Sequence, residues 1–306
     1  MKTSNKTPIA LTALAALTAL GTASAQVSLS GRIDQSVVKT SPGKWELTHG
    51  SANRIIFKTE DDLGDGIKAY GYLQHRFLGD TGQPRSGPFW YYSYAGIKGK
   101  FGDIRLGHQK SPIDDATGSD YEVWDGDTVA SSYSRIAGGQ KIWDNAVNYT
   151  SPSLAGFSVN VGVSAGEGAA KTVRGQGLSL IYEVGGLSAS LSTQRSPTNV
   201  QTEAIGGRYV TEKFRVLGTW ATSTRVAGSK KQTDAQLSAG YQVTPEGEAR
   251  ILYNRSKLVA AKTEVWGLGY FHFVSKRTAL YAAWSDTKAP GVESVNAYQA
   301  GVRHSF

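Results

Sequence analysis

In the first third of the chain, charged and polar residues recur at even spacings. Arg32 and Asp34 form one set, Arg54, Lys58 and Glu60 a second, Lys68, Gln74 and Arg76 a third, and Asp103, Arg105 and Gln109 a fourth. Residues two apart on an extended chain point to the same side, so each set places its charges on one face. A face of this kind binds and steers ions. A second group differs in sign: Asp114, Asp115, Asp120, Glu122, Asp125 and Asp127 crowd one stretch, with no basic residue following until Arg135 and Lys141. A basic wall opposite an acidic segment sets up a transverse field, which orders water and favours polar solutes over apolar ones.

Chemistry of other kinds finds little support. There is no cysteine, so neither disulfides nor thiolate ligands are available. His49, His75, His108, His272 and His304 are far apart, without metal-ligand spacing. The segment Glu167-Gly-Ala-Ala-Lys-Thr172 has Ala170 where a phosphate loop requires glycine. Asp125-Gly126-Asp127 lacks the oxygen series of a calcium loop and reads as a solvated turn. A Ser-centred nucleophile elbow is not read in the chain, which sets aside a hydrolase on an α/β frame. The chain is expected to need no cofactor.

The elements that must carry the charged faces are strands. In the run Phe157-Ser-Val-Asn-Val-Gly-Val-Ser, apolar residues alternate with small or polar ones; Thr233 to Val243 repeats this, with Ala235, Leu237, Ala239 and Tyr241 on one face and Asp234, Gln236 and Ser238 on the other. Strict alternation is the signature of a half-buried strand. Sixteen segments read this way, beginning near Val27, Asn53, Ile67, Trp90, Gly102, Asp144, Phe157, Gly177, Leu187, Glu203, Lys213, Thr233, Glu248, Glu264, Arg277 and Asn296. The fourteenth and fifteenth can be read in either face register. Short turns at 61–66, 98–100, 184–186 and 244–247 alternate with longer connections, the longest spanning 110–143.

The chain begins with Lys2 and Lys6, an apolar stretch from Ile9 to Leu20, and Ala23-Ser24-Ala25. This is the pattern of a secretory signal peptide over 1–25. Without those lysines, 31 basic residues face 25 acidic ones, a formal +6. Export and the scatter of the cations disfavour nucleic acid as a partner. Only 40% of residues are hydrophobic and 36 are glycine, and beyond the leader no apolar stretch is long enough for a spanning helix. An all-β, antiparallel transmembrane barrel from 26 to 306 fits, because only alternate residues need face lipid. Charges on one parity then face a lumen, since a lipid-facing Arg or Lys costs about 2–4 kcal/mol at the midplane. Trp90, Tyr91, Tyr92, Trp220, Tyr241, Tyr270, Tyr281 and Trp284 read as interfacial girdles.

The chain also resembles a known family, the general trimeric porins of β-proteobacteria, which include the neisserial porins. The resemblance is carried by LSGRID at the first strand, KTEDDLGDGIKA across the first short turn, YAGIKGKFGDIRLGHQ before the long connection, NYTSPSLAGFSV after it, SKRTALYAAWSDTK, and the closing GVRHSF. It implies a sixteen-stranded barrel, a homotrimer in outer-membrane lipid, and a constriction loop folded inward over about 110–143. It further implies that Phe306 is read by the outer-membrane assembly machinery. The expected function is a Gram-negative outer-membrane channel for ions and small hydrophilic solutes, weakly anion-preferring. Arg32, Arg54, Lys58, Arg76 and Arg105 are expected to form its basic wall, with the loop carboxylates opposite. Tyr91 and Tyr92 depart from the family pattern, since anion-selective relatives commonly carry arginines there. With Tyr121 and Trp124 they offer an alternative, a substrate-selective channel with a saturable aromatic site. An outer-membrane enzyme is a third reading.

Overall fold

A computed structural model describes residues 26–50, 53–132, 141–166, 173–225, 231–258 and 261–306. Residues 1–25, which the sequence reads as a leader, Arg135 and the 167–172 segment lie outside the described residues. The strands, in chain order, are β1 (Gln26–Thr40), β2 (Trp45–His49), β3 (Arg54–Gly64), β4 (Ile67–Arg76), β5 (Trp90–Gly99), β6 (Gly102–Lys110), β7 (Ile142–Thr150), β8 (Phe157–Ser164) and β9 (Gly175–Val184). They continue as β10 (Leu187–Arg195), β11 (Val200–Val210), β12 (Phe214–Arg225), β13 (Lys231–Thr244), β14 (Gly247–Leu258), β15 (Ala261–Phe273), β16 (Thr278–Lys288) and β17 (Val295–Ser305). Each of the sixteen expected strands is found, starting within three residues of its expected position.

Every neighbour is antiparallel, and β1 closes the sheet by pairing with both β17 and β3. The short β2 was not anticipated. It pairs with the outer half of β1, from Gln35 to Lys39, while β3 pairs with the inner half, from Gln26 to Arg32. β2 is therefore the outward extension of β3, and the seventeen segments form a closed sixteen-stranded barrel. Closure leaves no sheet edge, which a strand protein in lipid requires. Short turns join the strands at one rim. Between β3 and β4, Asp65 and Gly66 both take positive φ (53° and 77°), the conformation a two-residue hairpin turn demands.

Alternation resolves into two environments. Leu178, Leu180, Leu191, Ile205, Trp220, Leu237 and Tyr241 are exposed on the outside, whereas Ser179, Ser190, Thr219, Gln236 and Ser238 are buried inside. In a soluble protein such an outer face would be an aggregation surface; here it is the face toward lipid. Leu237 lies near the middle of β13 and is 59% exposed. Leu237→Lys is expected to destabilise the barrel by about 2–4 kcal/mol, measured by denaturant unfolding in lipid vesicles. The strands left open in register are also fixed. Val265 and Phe271 of β15 and Tyr281 and Ala283 of β16 face inward, with Trp266, Leu268 and Leu280 outward. Tyr281, read above as a girdle residue, is instead a lumenal side chain 4% exposed, with its hydroxyl donating to Asp34 at 2.7 Å.

Candidate functional site

The long connection between β6 and β7 turns into the barrel. It starts with helix α1 (Pro112–Thr117), whose cap Ser111 accepts from the Asp114 amide at 3.4 Å and whose first residue is proline. Both features favour a helix start at this point. A 3₁₀ turn follows at Ser119–Tyr121.

The loop is seated on lumenal residues kept small for it. Pro112 lies over Gly162 of β8 and Gly177 of β9, where an added Cβ would come within 2.7 and 2.8 Å of its ring. Ser179 donates to the Pro112 carbonyl at 3.0 Å, and Tyr121 bonds Ser188 at 2.8 Å. Further round, the Val123 amide donates to Ser238 at 3.2 Å, Arg215 donates to the Val123 carbonyl at 3.0 Å, and the Val129 amide donates to Gln299 at 2.8 Å. Trp124 packs with Leu252, Phe271 and Tyr281. The Ala130 backbone lies over Gly267, where a Cβ would stand 2.5 Å from its carbonyl oxygen. Gly267→Val is therefore expected to unseat this end of the loop, read as higher and noisier single-channel conductance.

A buried charge cluster fixes the far end. Asp127 pairs with Arg32 and, at 3.4 Å, with Arg303; Arg303 donates to Asp34 at 2.9 Å. At the near end Asp115 pairs with Arg105 and accepts from Asn160 at 3.2 Å. Of the six acidic residues expected to face the water, Asp114, Glu122 and Asp127 are buried and Asp115 is half-buried, while Asp120 and Asp125 are exposed. Tyr121 (4% exposed) and Trp124 (0%) lie in the seam between loop and barrel, away from the open lumen where the alternative reading of a saturable aromatic site needs them. Lys141, just before β7, is held down at about 8 by burial, against the opposing pull of Asp114, Glu122 and Asp234.

The loop thus covers the inner face of β8 to β17, where lumenal positions are mostly buried, and leaves that of β3 to β6 half-exposed. The water path runs along this second half. Arg32 stands directly opposite Arg54 across β1 and β3, and Arg54 directly opposite Arg76 across β3 and β4. Together they form a row of three guanidinium-bearing positions. Among the described residues, Arg54, Lys58 and Arg76 have no carboxylate partner. Arg76 instead lies 3.3 Å over the ring of Tyr91.

That contact depends on an irregularity. Gln74 pairs with Tyr92 but His75 with Trp90, so Tyr91 is an extra residue in β5, a bulge that re-aims its side chain. Its ring meets that of Tyr92 edge-on at 4.7 Å. Beside the Tyr91 and Tyr92 expected from sequence, β4 and β5 bring in three tyrosines that were not expected at the site, Tyr70, Tyr72 and Tyr94. Tyr72 stacks on Tyr94 at 5.1 Å with planes 6° apart, and Tyr70 donates to Asp103 at 2.5 Å.

One run passed over in the sequence, Gly162-Val163-Ser164-Ala165-Gly166, has the letters of a nucleophile elbow. Ser164 ends strand β8 and donates to the Asp144 carbonyl at 2.6 Å. Such a nucleophile requires a strand-to-helix turn, and among the described residues Ala165 and Gly166, which follow Ser164, form no helix.

Comparison with known proteins places this architecture. The sequence model of the Gram-negative porin family matches residues 10–291. Outer membrane porin protein 32 of Delftia acidovorans is 30% identical, over 97% of this chain and 99% of its own length. Major outer membrane protein P.IB of Neisseria lactamica is 27% identical, over 98% and 99%. Among solved structures, an anion-selective porin from Comamonas acidovorans superposes with a TM-score of 0.81 at 25% identity, covering 92% of this chain and 100% of that one.

Proposed function

The chain belongs to the Gram-negative porin family and is an outer-membrane porin, and from that premise we propose that its water-filled channel passes ions and small hydrophilic solutes with a weak preference for anions. The observation that carries the preference is the row Arg32, Arg54 and Arg76 on the open side of the lumen, two of whose members lack a carboxylate partner among the described residues. The carboxylates that could cancel them are largely spent on seating the loop. Arg32 neutralises Asp127, Arg105 neutralises Asp115, and Asp114 and Glu122 are buried. Lys58 extends the positive wall toward the short-turn rim, which in such barrels faces the periplasm. Rings of one sign bias which ion enters, and low-dielectric walls focus that bias.

The test is the zero-current potential across a planar bilayer under a salt gradient. A potential on the anion side, collapsing as salt is raised, supports the reading, because screening shortens to about 3 Å at 1 M. A potential at zero or on the cation side overturns it.

The same reading extends to assembly. The chain works as a homotrimer, is exported behind a leader ending at Ala25, and presents Phe306 to the outer-membrane assembly machinery. In support, Phe306 follows the last strand with its ring exposed, and its backbone exchanges hydrogen bonds with Gly31 at 2.9 and 3.1 Å.

A further inference from the structure

We propose that the periplasmic half of the channel contains a binding site for a one-ring aromatic carboxylate, formed by Tyr72, Tyr94 and Lys58; this rests on the chain being a solute channel. A recess of about 450 Å³ opens there, lined by Lys58, Glu60, Tyr70, Tyr72, Tyr94 and Lys98 among others. That lies within the roughly 300–1,000 Å³ of small-molecule sites. Lys58 and Tyr72 face each other across β3 and β4, four residues nearer the Asp65–Gly66 turn than the Arg54 and Arg76 pair. A solute that has passed the arginine row therefore meets this recess about 13 Å further on.

The chemistry of the walls selects the ligand. Tyr72 and Tyr94 present a parallel pair of rings, with Tyr70 edge-on to Tyr94 at 6.4 Å and Tyr92 edge-on to Tyr72 at 6.2 Å. A flat ring extends such a cluster by offset stacking or edge contact. The lysines differ in availability. Lys68 and Lys98 share Glu60, at 2.5 and 2.7 Å, whereas Lys58 has no carboxylate partner among the described residues and holds its ammonium 5.5 Å from the centre of the Tyr72 ring. Lys58 is the cation left for a ligand carboxylate, adjacent to the ring surface that the ligand's own ring would cover. Asp103, already accepting from Tyr70 at 2.5 Å, offers an acceptor for a ring hydroxyl. A neutral sugar would stack on the same rings but leave Lys58 unmatched, and an aliphatic carboxylate would meet Lys58 but forgo the rings.

The test uses the full-length channel in planar bilayers, with potassium benzoate, potassium cyclohexanecarboxylate, potassium acetate and benzyl alcohol as probes. Benzoate current is expected to saturate as concentration rises while acetate current stays linear, and benzoate added to a chloride bath should reduce chloride current. Half-saturation should rise roughly five- to tenfold in Tyr72→Leu and in Lys58→Gln. Lys58 is exposed, so the second variant reads the site even where the first folds poorly. Cyclohexanecarboxylate and benzyl alcohol should each bind more weakly than benzoate. Linear benzoate current, equal block by acetate, or a half-saturation unmoved in Lys58→Gln overturns the proposal. The zero-current potential of the unmodified channel in potassium chloride reports the anion preference on its own, so failure of one reading is told apart from failure of the other.

Discussion

Arg54→Gln combined with Arg76→Gln should move the zero-current potential of the channel toward the cation side, lowering the anion-to-cation permeability ratio between about three- and tenfold. The estimate follows from Coulomb's law. A unit charge 5 Å from a passing ion contributes about 0.8 kcal/mol in water, a factor of about four in relative occupancy, before screening reduces it. Two such charges are removed from adjacent positions in one row, and neither removal strands a carboxylate among the described residues, where neither arginine has one as partner. Arg54→Lys with Arg76→Lys retains the charges and should keep the sign of the preference. It also replaces the flat guanidinium that covers the Tyr91 ring at 3.3 Å, so a change in conductance without a change in sign would assign that contact to pore shape. If the double glutamine variant leaves the potential where it was, the basic wall lies elsewhere.

Asp34→Ala should have the largest effect on stability, a loss of about 3–5 kcal/mol. Asp34 is 0% exposed, accepts from Arg303 at 2.9 Å and from Tyr281 at 2.7 Å, and binds the Asn53 side chain through its own amide, at 2.6 Å. Removing a buried carboxylate leaves Arg303 with Asp127 as its remaining counter-charge and takes from Tyr281 its acceptor. The cost of an uncompensated buried group is what makes such deletions severe. Arg303 and Arg32 also hold Asp127, so the loop should loosen as the barrel weakens, and single-channel recordings should show longer excursions to higher conductance. Denaturant unfolding gives the stability term. Asp34→Asn keeps an acceptor for Tyr281 without the charge and should fall between the two. A midpoint equal to that of the unmodified protein would remove this cluster from any account of how the loop is held.

The barrel itself was legible because alternation is a local property. One apolar tooth every second residue is visible in Phe157 to Ser164 whatever the rest of the chain does, and the strand starts follow from it. The β2 segment escaped because it is short: Trp45 and Leu47 alternate with Glu46 and Thr48, but over five residues only, and the stretch is paired on one side only by β1. Tyr281 was misread for a different reason. An aromatic near a strand end signals an interface, but its neighbours Ala279, Ala282 and Ala283 are too alike in polarity to tell inside from outside.

The loop carboxylates show the deeper limit. Their sign can be read from sequence, but their partners cannot, since Asp127 finds Arg32 and Arg303 at separations of 95 and 176 residues. A signal was nevertheless present. Gly162, Gly177, Ser179, Ser188 and Ser190 all fall on the lumenal parity of consecutive strands, and a lumen lined with such small residues is making room for something. Tyr70, Tyr72 and Tyr94 are equally visible as alternate residues beside the expected Tyr91 and Tyr92, but nothing local says that two strands bring their rings together.

Because the inward loop rests on one half of the barrel, the two halves answer to different constraints. A substitution on β8 to β17 must be matched in the loop, so changes there should succeed only in compensated pairs. The inner face of β3 to β5 meets water and can be rewritten one residue at a time, whereas Arg105 on β6 holds Asp115 of the loop and must be kept. A new solute preference could therefore be engineered on that arc alone, with the seating of the loop left as it stands.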